Sequence, residues 1–375
     1  MDANAIKEYG LSIGYSRVGI TSTASLAGYV DEVESRGDKY EIFGITLFNP
    51  LKGALPREIM PEARSVIVLI WDYFQVDFPE SLQKMIGKVY MARCYNSPPG
   101  TVAHARLGMM KDFLVGQGFA ADAEIPVPAR WAAAQAGVAT YGRNNFAYVE
   151  GIGSYVLVNT IVVDRELEYD EPTMDCKCPP NCRICMDACP TGAIYEPFRL
   201  DPARCIGFNN WTRQDGRGKI SSFIPHELRA PIGSHVHGCD VCQDACPRNR
   251  KKLKQSKAAD GFVERIAPDL TLPAILNMTD DFYERRIKPI MYNYIKEKRY
   301  FIRNAAIAMG NSGDETYVDD LAAAAVSPDG MIREYATWAL GEIGGKRARQ
   351  VLAARLSQEP DEGVRLVIEQ ALGQR

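Results

Sequence analysis

The residues with the clearest capacity for chemistry are cysteines. The chain holds ten, and nine of them fall between Cys176 and Cys246. Two runs end in the same phrase, Cys-x2-Cys-x3-Cys-Pro, at Cys182, Cys185, Cys189 and Pro190 and again at Cys239, Cys242, Cys246 and Pro247. Thiolates at these spacings hold pairs of [4Fe-4S] clusters, with the cysteine before proline serving the other cluster of the pair. One loop furnishes most of each set, and the distant run closes it. We read Cys178, Cys182, Cys185 and Cys246 as the ligands of cluster one, and Cys189, Cys205, Cys239 and Cys242 as those of cluster two. The pattern departs at its start, because Pro179 stands where a cysteine is expected. Either Cys176 or Cys178 must therefore reach further, and Cys178 is preferred. Paired zinc sites use the same Cys-x2-Cys units, but the two Cys-Pro endings and Thr191-Gly192-Ala193-Ile194 favour iron–sulfur. Cys94 stands alone and reads as a small buried hydrophobe.

These ligands need a scaffold, and 375 residues are enough for two or three domains. Up to about residue 168, helical and strand patterns alternate. Ala5 to Ile13, His104 to Gly116 and Arg130 to Ala136 are helical, whereas Arg17–Thr21, Ser65–Trp71 and Tyr155–Val163 are strands. Ser65–Trp71 is apolar on both faces, so a sheet covered on both sides is expected there. The fold class expected is α+β, with boundaries at 1–168, 169–257 and 258–375. The last part is helical, and Ala308-Met309-Gly310, Ala339-Leu340-Gly341 and Ala371-Leu372-Gly373 recur at about 31 residues. Each follows an arginine, at Arg303, Arg333 and Arg365. Such a period reads as a short HEAT-like solenoid.

Composition narrows the function classes. A hydrophobic content of 46% with 24% charged residues is that of a soluble globular protein. The longest apolar runs fall well short of the ~20 residues of a spanning helix, so no membrane partner is expected. Met1-Asp2-Ala3-Asn4 lacks a basic, then apolar, leader. Together with cysteines suited to redox chemistry this points to the cytoplasm. The net charge of −3 excludes a globally basic nucleic-acid binder. A local patch remains, because Arg248 to Lys257 carries six basic residues and no acid. It reads either as a solvated surface or as a contact for phosphates.

Several stretches carry a family resemblance. Ile224-Pro225-His226-Glu227-Leu228-Arg229-Ala230-Pro231-Ile232-Gly233, running into His237-Gly238-Cys239-Asp240-Val241-Cys242-Gln243-Asp244-Ala245-Cys246-Pro247, resembles the second cluster region of epoxyqueuosine reductases. The surroundings of Cys205 and the stretch from Arg303 to Asp314 resemble that family too. The resemblance covers most of 130–375. It implies a nitroreductase-like, cobalamin-binding α/β catalytic domain, then a two-cluster ferredoxin domain, then HEAT-like helices. It also implies a mechanism in which an external low-potential donor feeds two [4Fe-4S] clusters. These reduce a base-off cobalamin, and the cofactor removes oxygen from the substrate ring. Transfer RNA is the implied partner, reached through Arg248–Lys257 and the helical tail. Reductive dehalogenases resemble the first two parts but not the tail.

The departures lie upstream. Where the family places a proton-donating Asp, this chain has Ala123, flanked by Asp122 and Glu124 as candidate replacements. The family's Asp-Tyr-His segment is replaced by Ala92-Arg93-Cys94-Tyr95-Asn96. Tyr141-Gly142-Arg143-Asn144-Asn145 fills the position of the family's Gly-Lys-Asn-like turn. The resemblance makes Tyr141 a further candidate proton donor. It makes Arg130, Gly142, Arg143, Asn144, Gly153 and Ser154 candidate cofactor-binding residues. Glycine at 142 and 153 permits close backbone approach to a ligand, and Arg143 is suited to a propionamide or an anion.

Overall fold

The apolar run of Ser65–Asp72 forms a central strand, β2, flanked by β1 (Arg17–Ser22) on one side and β6 (Val156–Val163) on the other. The two-residue β3 (Ala121–Asp122) closes the far edge, giving the order β1-β2-β6-β3 with every pairing antiparallel. Alternation along β2 sends its apolar side chains to two cores. Val66, Val68 and Ile70 meet Ala132, Ala133 and Ala136 on one face. Ile67 and Leu69 meet Ile6, Met110 and Leu114 on the other. This is the doubly covered sheet that the sequence predicts. Each such side chain contributes about 1.5–3 kcal/mol by leaving water. The computed structural model describes residues 2–40, 50–96, 98–210, 213–214, 220–221, 223–291 and 297–373.

The covering helices start where side chains satisfy free N–H groups. Asp2 caps α1 (Ala3–Ser12), and Thr101 caps α2 (Val102–Gly116). On the opposite face, α3 (Ala129–Gln135) is rich in alanine and lies close to the sheet. A small hairpin of β4 (Thr140–Tyr141) and β5 (Ala147–Tyr148) follows it. Strand β6 begins at Val156, one residue later than the sequence pattern suggests, and Tyr155 is fully buried instead in a polar contact described below.

The cysteine segment is built from single turns, including α4 (Ile206–Asn209) and α5 (Val241–Asp244). Its own apolar core is small: Cys185, Met186 and Ile194, with Leu200 and Cys242 against them. The tail then stacks α6 (Lys298–Ser312), α7 (Val318–Ala324), α8 (Gly330–Ile343), α9 (Gly345–Leu356) and α10 (Glu362–Gly373). The recurring glycines explain its spacing. A Cβ at Gly310 would lie 2.9 Å from the Ala339 Cα, and one at Gly341 would lie 2.5 Å from the Ala371 Cβ. Only a bare backbone lets these helices approach so closely. The largest core is continuous across the chain: it joins Tyr73 and Tyr155, Ile206 and Val236, and Phe301, Tyr335 and Ile368. Among the described residues, no helix is long and apolar enough to cross a membrane.

Candidate functional site

The thiols gather into two groups. Burial, and then the neighbouring thiols of Cys246, Cys178 and Cys182, push the Cys185 pKa up to about 11. Burial, with Cys205, Asp240 and Cys189 adding to it, pushes Cys239 up to about 12. Cys242 rises for the same reasons, with Cys205, Cys239 and Cys189 as its thiol neighbours. Thiols that raise one another in this way keep their protons until a cation replaces them, and a bound metal inverts the balance. The donor set therefore fits two iron–sulfur clusters. Among the described residues, no three Cys, His, Asp or Glu side chains stand close enough to share one metal ion, a spacing that a multi-iron cube does not require. Cys176 lies against Cys178 of the first group: its sulfur accepts from the Cys178 backbone N–H at 3.4 Å, and its pKa is raised first by burial and then by the Cys178 side chain. Cys94 is fully buried and donates to the Val89 carbonyl at 3.3 Å, so it packs as a small hydrophobe.

The turn predicted to cradle a cofactor lies instead along the seam between the first domain and the cysteine segment. The Arg143 guanidinium donates to the carbonyls of Cys182 and Pro180, which fixes the loop of cluster one. Asn144 is buried and donates to the Tyr148 hydroxyl at 3.1 Å and to the Cys242 carbonyl at 3.2 Å. Ser154 Oγ bonds the Gln243 carboxamide at 3.0 Å, and its N–H donates to Asn249 Oδ1 at 2.9 Å. A Cβ at Gly153 would lie 2.4 Å from that same Asn249 oxygen, and one at Gly142 would lie 2.3 Å from the Tyr148 ring. Close approach does require these glycines, but here to neighbouring side chains of this chain. Arg130 is exposed, stacks 4.6 Å from the Phe146 ring centroid and donates to the Asn145 carbonyl at 3.0 Å.

A second latch crosses the same seam deeper down. Lys88 is 3% exposed, and its Nζ lies 2.9 Å from Asp244 and 3.6 Å from Asp240. The Tyr155 hydroxyl also donates to Asp244. Buried charges of this kind stand only because they are paired.

The candidate acids stand elsewhere. Asp122 accepts from the Glu124 backbone N–H at 2.7 Å, Glu124 is exposed, and Ala123 packs against the core beneath α2. Tyr141 is half-buried; desolvation raises its pKa, opposed by Arg130 and Arg36. None of the three lines the cleft described next.

That cleft, of about 1450 Å³, opens between the β5–β6 loop and the basic run. Thr140, Tyr148 and Gly151 form part of one wall, and Arg248, Lys251 and Lys254 part of the other. It exceeds the ~300–1,000 Å³ of ordinary ligand pockets. Its polar floor is settled by an ion pair of 2.5 Å between Lys252 and Asp72. Tyr148 joins this cleft to the clusters: its phenol lies near the Cys246 thiol, which after burial adds to what raises its pKa, and Arg248 lies 4.2 Å from its ring centroid. Asp72, Thr140 and Tyr148 are absent from the sequence-derived site. The basic run and Gly153 signalled this place in advance.

Comparison with known proteins agrees with this anatomy. Residues 177–249 match the model of a 4Fe-4S double cluster binding domain, and residues 293–373 match that of HEAT repeats. The chain is 27% identical to the epoxyqueuosine reductase of Bacillus subtilis, over 97% of its own length and 94% of the relative's. It is 26% identical to that of Escherichia coli, over 95% and 93%. A crystal structure of an epoxyqueuosine reductase with an epoxyqueuosine-modified tRNA stem loop superposes with a TM-score of 0.82 at 25% identity, covering 98% of this chain and 97% of that one. The B. subtilis enzyme, in a form with its catalytic loop swung out of the active site, also superposes with a TM-score of 0.82, at 26% identity.

Proposed function

Because the chain belongs with the epoxyqueuosine reductases and is an iron–sulfur oxidoreductase, we propose that it is a corrinoid-dependent reductase with a base-off cobalamin seated in the basic cleft. The observation that carries this reading is Tyr148, which lines the cleft and lies near Cys246. A cofactor there would stand beside cluster one. When bound, the clusters relay single electrons and the corrinoid supplies the reducing metal centre. This chain's own residues hold and orient. Cys178, Cys182, Cys185 and Cys246 hold cluster one; Cys189, Cys205, Cys239 and Cys242 hold cluster two. Arg143 and Asn144 fix the loops of both against the first domain. Thr140, Gly151 and Gly153 present a cleft wall with little side-chain bulk, and Lys251 and Lys254 offer cations to phosphate. Transfer RNA is the proposed partner, its backbone lying along Arg248–Lys257 and the helical tail. The relay needs an external low-potential donor.

A second reading follows from Ala123, a methyl group where the family's resemblance implies an acid. With a methyl group at that position, the proton for reduction has to come from Asp122, from Tyr141, from Glu124 or from the substrate. The substrate is then another oxidised or halogenated small group, or the corrinoid of a partner protein. Anaerobic, cluster-replete protein with cobalamin and an epoxyqueuosine-modified stem loop separates the readings. Loss of oxygen from the modified base, read by mass spectrometry, supports the first. Cobalamin retained without any such product directs the assignment to the second.

A further inference from the structure

Helix α4 is a single turn with contacts of opposite sign at its two ends. At its start, the backbone N–H groups of Gly207 and Phe208 face the Cys205 sulfur, and the Phe208 N–H donates to the Cys205 carbonyl at 3.1 Å. At its end, the Asn209 carbonyl accepts from Arg303 Nη2 at 2.6 Å, and the next carbonyl, that of Asn210, accepts from Asn304 Nδ2. These are groups that a helix leaves without internal partners. Arg303 and Asn304 belong to α6, in the tail, and both are fully buried. Asn304 reaches a second cluster segment as well, donating to the Val236 carbonyl at 2.8 Å, three residues before Cys239. The Asn304 carboxamide is itself oriented by Arg303 Nε, at 3.0 Å from its oxygen.

The tail thus grips both segments that deliver Cys205 and Cys239. Its grip is also charged. Burial draws the Arg303 pKa down to about 10, which leaves the group cationic at neutral pH. A cation suits the C-terminal end of a helical turn. The rise from Cys205 to Asn209 is only about 6 Å, four residues at helical pitch.

We propose that Arg303, seconded by Asn304, is a positioning residue for cluster two, and that the helical tail thereby raises the reduction potential of that cluster and not of cluster one. The inference rests on assigning Cys189, Cys205, Cys239 and Cys242 to one cluster. Reduction adds a negative charge to the thiolate-bound cube. Hydrogen bonds to sulfur and a nearby cation both favour that state. Removing Arg303 acts twice in the same direction: it takes away the charge, and it frays the turn whose N–H groups face the Cys205 sulfur. Cluster one receives none of these bonds. The tail is then part of the electron path's design as well as a surface for a partner.

The test is an anaerobic redox titration of the full chain, followed by EPR, for Arg303→Gln, Arg303→Lys, Asn304→Ala and Cys205→Ala. Arg303→Gln should lower one of the two midpoint potentials and leave the other in place. Arg303→Lys, which keeps the charge, should recover much of the shift, and Asn304→Ala should move the same cluster by less. Cys205→Ala identifies that cluster, because the signal it alters should be the one Arg303→Gln moved. Two unshifted potentials in folded, iron-replete Arg303→Gln protein overturn the proposal. Should that variant not fold, an unshifted pair in Asn304→Ala overturns it equally. Cys205→Ala protein with both cluster signals intact refutes instead the ligand assignment beneath it.

Discussion

Around the clusters, polar side chains reach across from other parts of the chain: Arg143 and Asn144 from the first domain, Lys88 from beneath them, Arg303 and Asn304 from the tail. Around Ala123 the pattern is the reverse. Asp122 bonds its own turn, Glu124 faces solvent, and a methyl group fills the position of an acid. The contrast separates what the molecule must hold rigid from what it leaves to the substrate. Clusters tolerate little movement of their ligands, because potential and distance both follow from geometry. A proton donor needs only to arrive when the substrate is present.

The comparison can be broken first at its firmest point. Lys88→Met leaves the buried Asp240 carboxylate without its cation, and breaking a buried pair typically costs about 3–5 kcal/mol. Urea unfolding should show that loss; a cost under about 1 kcal/mol would mean that the seam is not held by charge. The tail gives a pH-dependent version of the same argument. Glu359 is buried and accepts from Arg333 and Arg355, which outweigh desolvation and hold its pKa down to about 2. Because the folded value is depressed below the unfolded one, its stabilisation is full above about pH 4.5 and is lost as the pH falls toward 2. The loss amounts to about 3 kcal/mol. Helical circular dichroism from pH 6 down to 2 should show it, and Glu359→Gln should flatten the profile.

The looser region yields smaller effects. Ala123→Asp returns an acid where the family resemblance implies one. It should raise turnover of an epoxyqueuosine-modified stem loop by about 10²-fold or more, the usual worth of a positioned general acid. No gain would mean that the substrate itself differs. Smallest is the effect of Lys251→Gln with Lys254→Gln. Each phosphate contact removed should flatten the slope of log affinity against log salt by about 0.7–0.9. An unchanged slope for tRNA would exclude this face as its seat.

Much of the cluster segment could be read from the chain, because thiolate spacing is a local code. A double-cluster segment was legible from Cys-x2-Cys-x3-Cys-Pro, and the fold class and the HEAT-like tail from β2's apolar run and the Ala-x-Gly period. The seam was not. Gly142, Arg143, Asn144, Gly153 and Ser154 carry the signature of a ligand cradle, and the structure turns that signature toward Tyr148, Cys182, Cys242 and Asn249. Glycine and amide side chains permit close approach equally to a cofactor and to another segment, and only tertiary contacts distinguish the two. Arg303 escaped for a related reason: as one arginine in a repeat it looks like its counterparts, yet Arg333 pairs with Glu359, Arg365 is exposed, and Arg303 alone of the three enters the cluster segment.

The central claim is that the basic cleft seats a corrinoid beside cluster one. Anaerobic reconstitution with cobalamin followed by EPR tests it most directly. The account predicts a tight complex with the spectrum of five-coordinate, base-off Co(II). The spectrum of free cobalamin at saturating protein would contradict it.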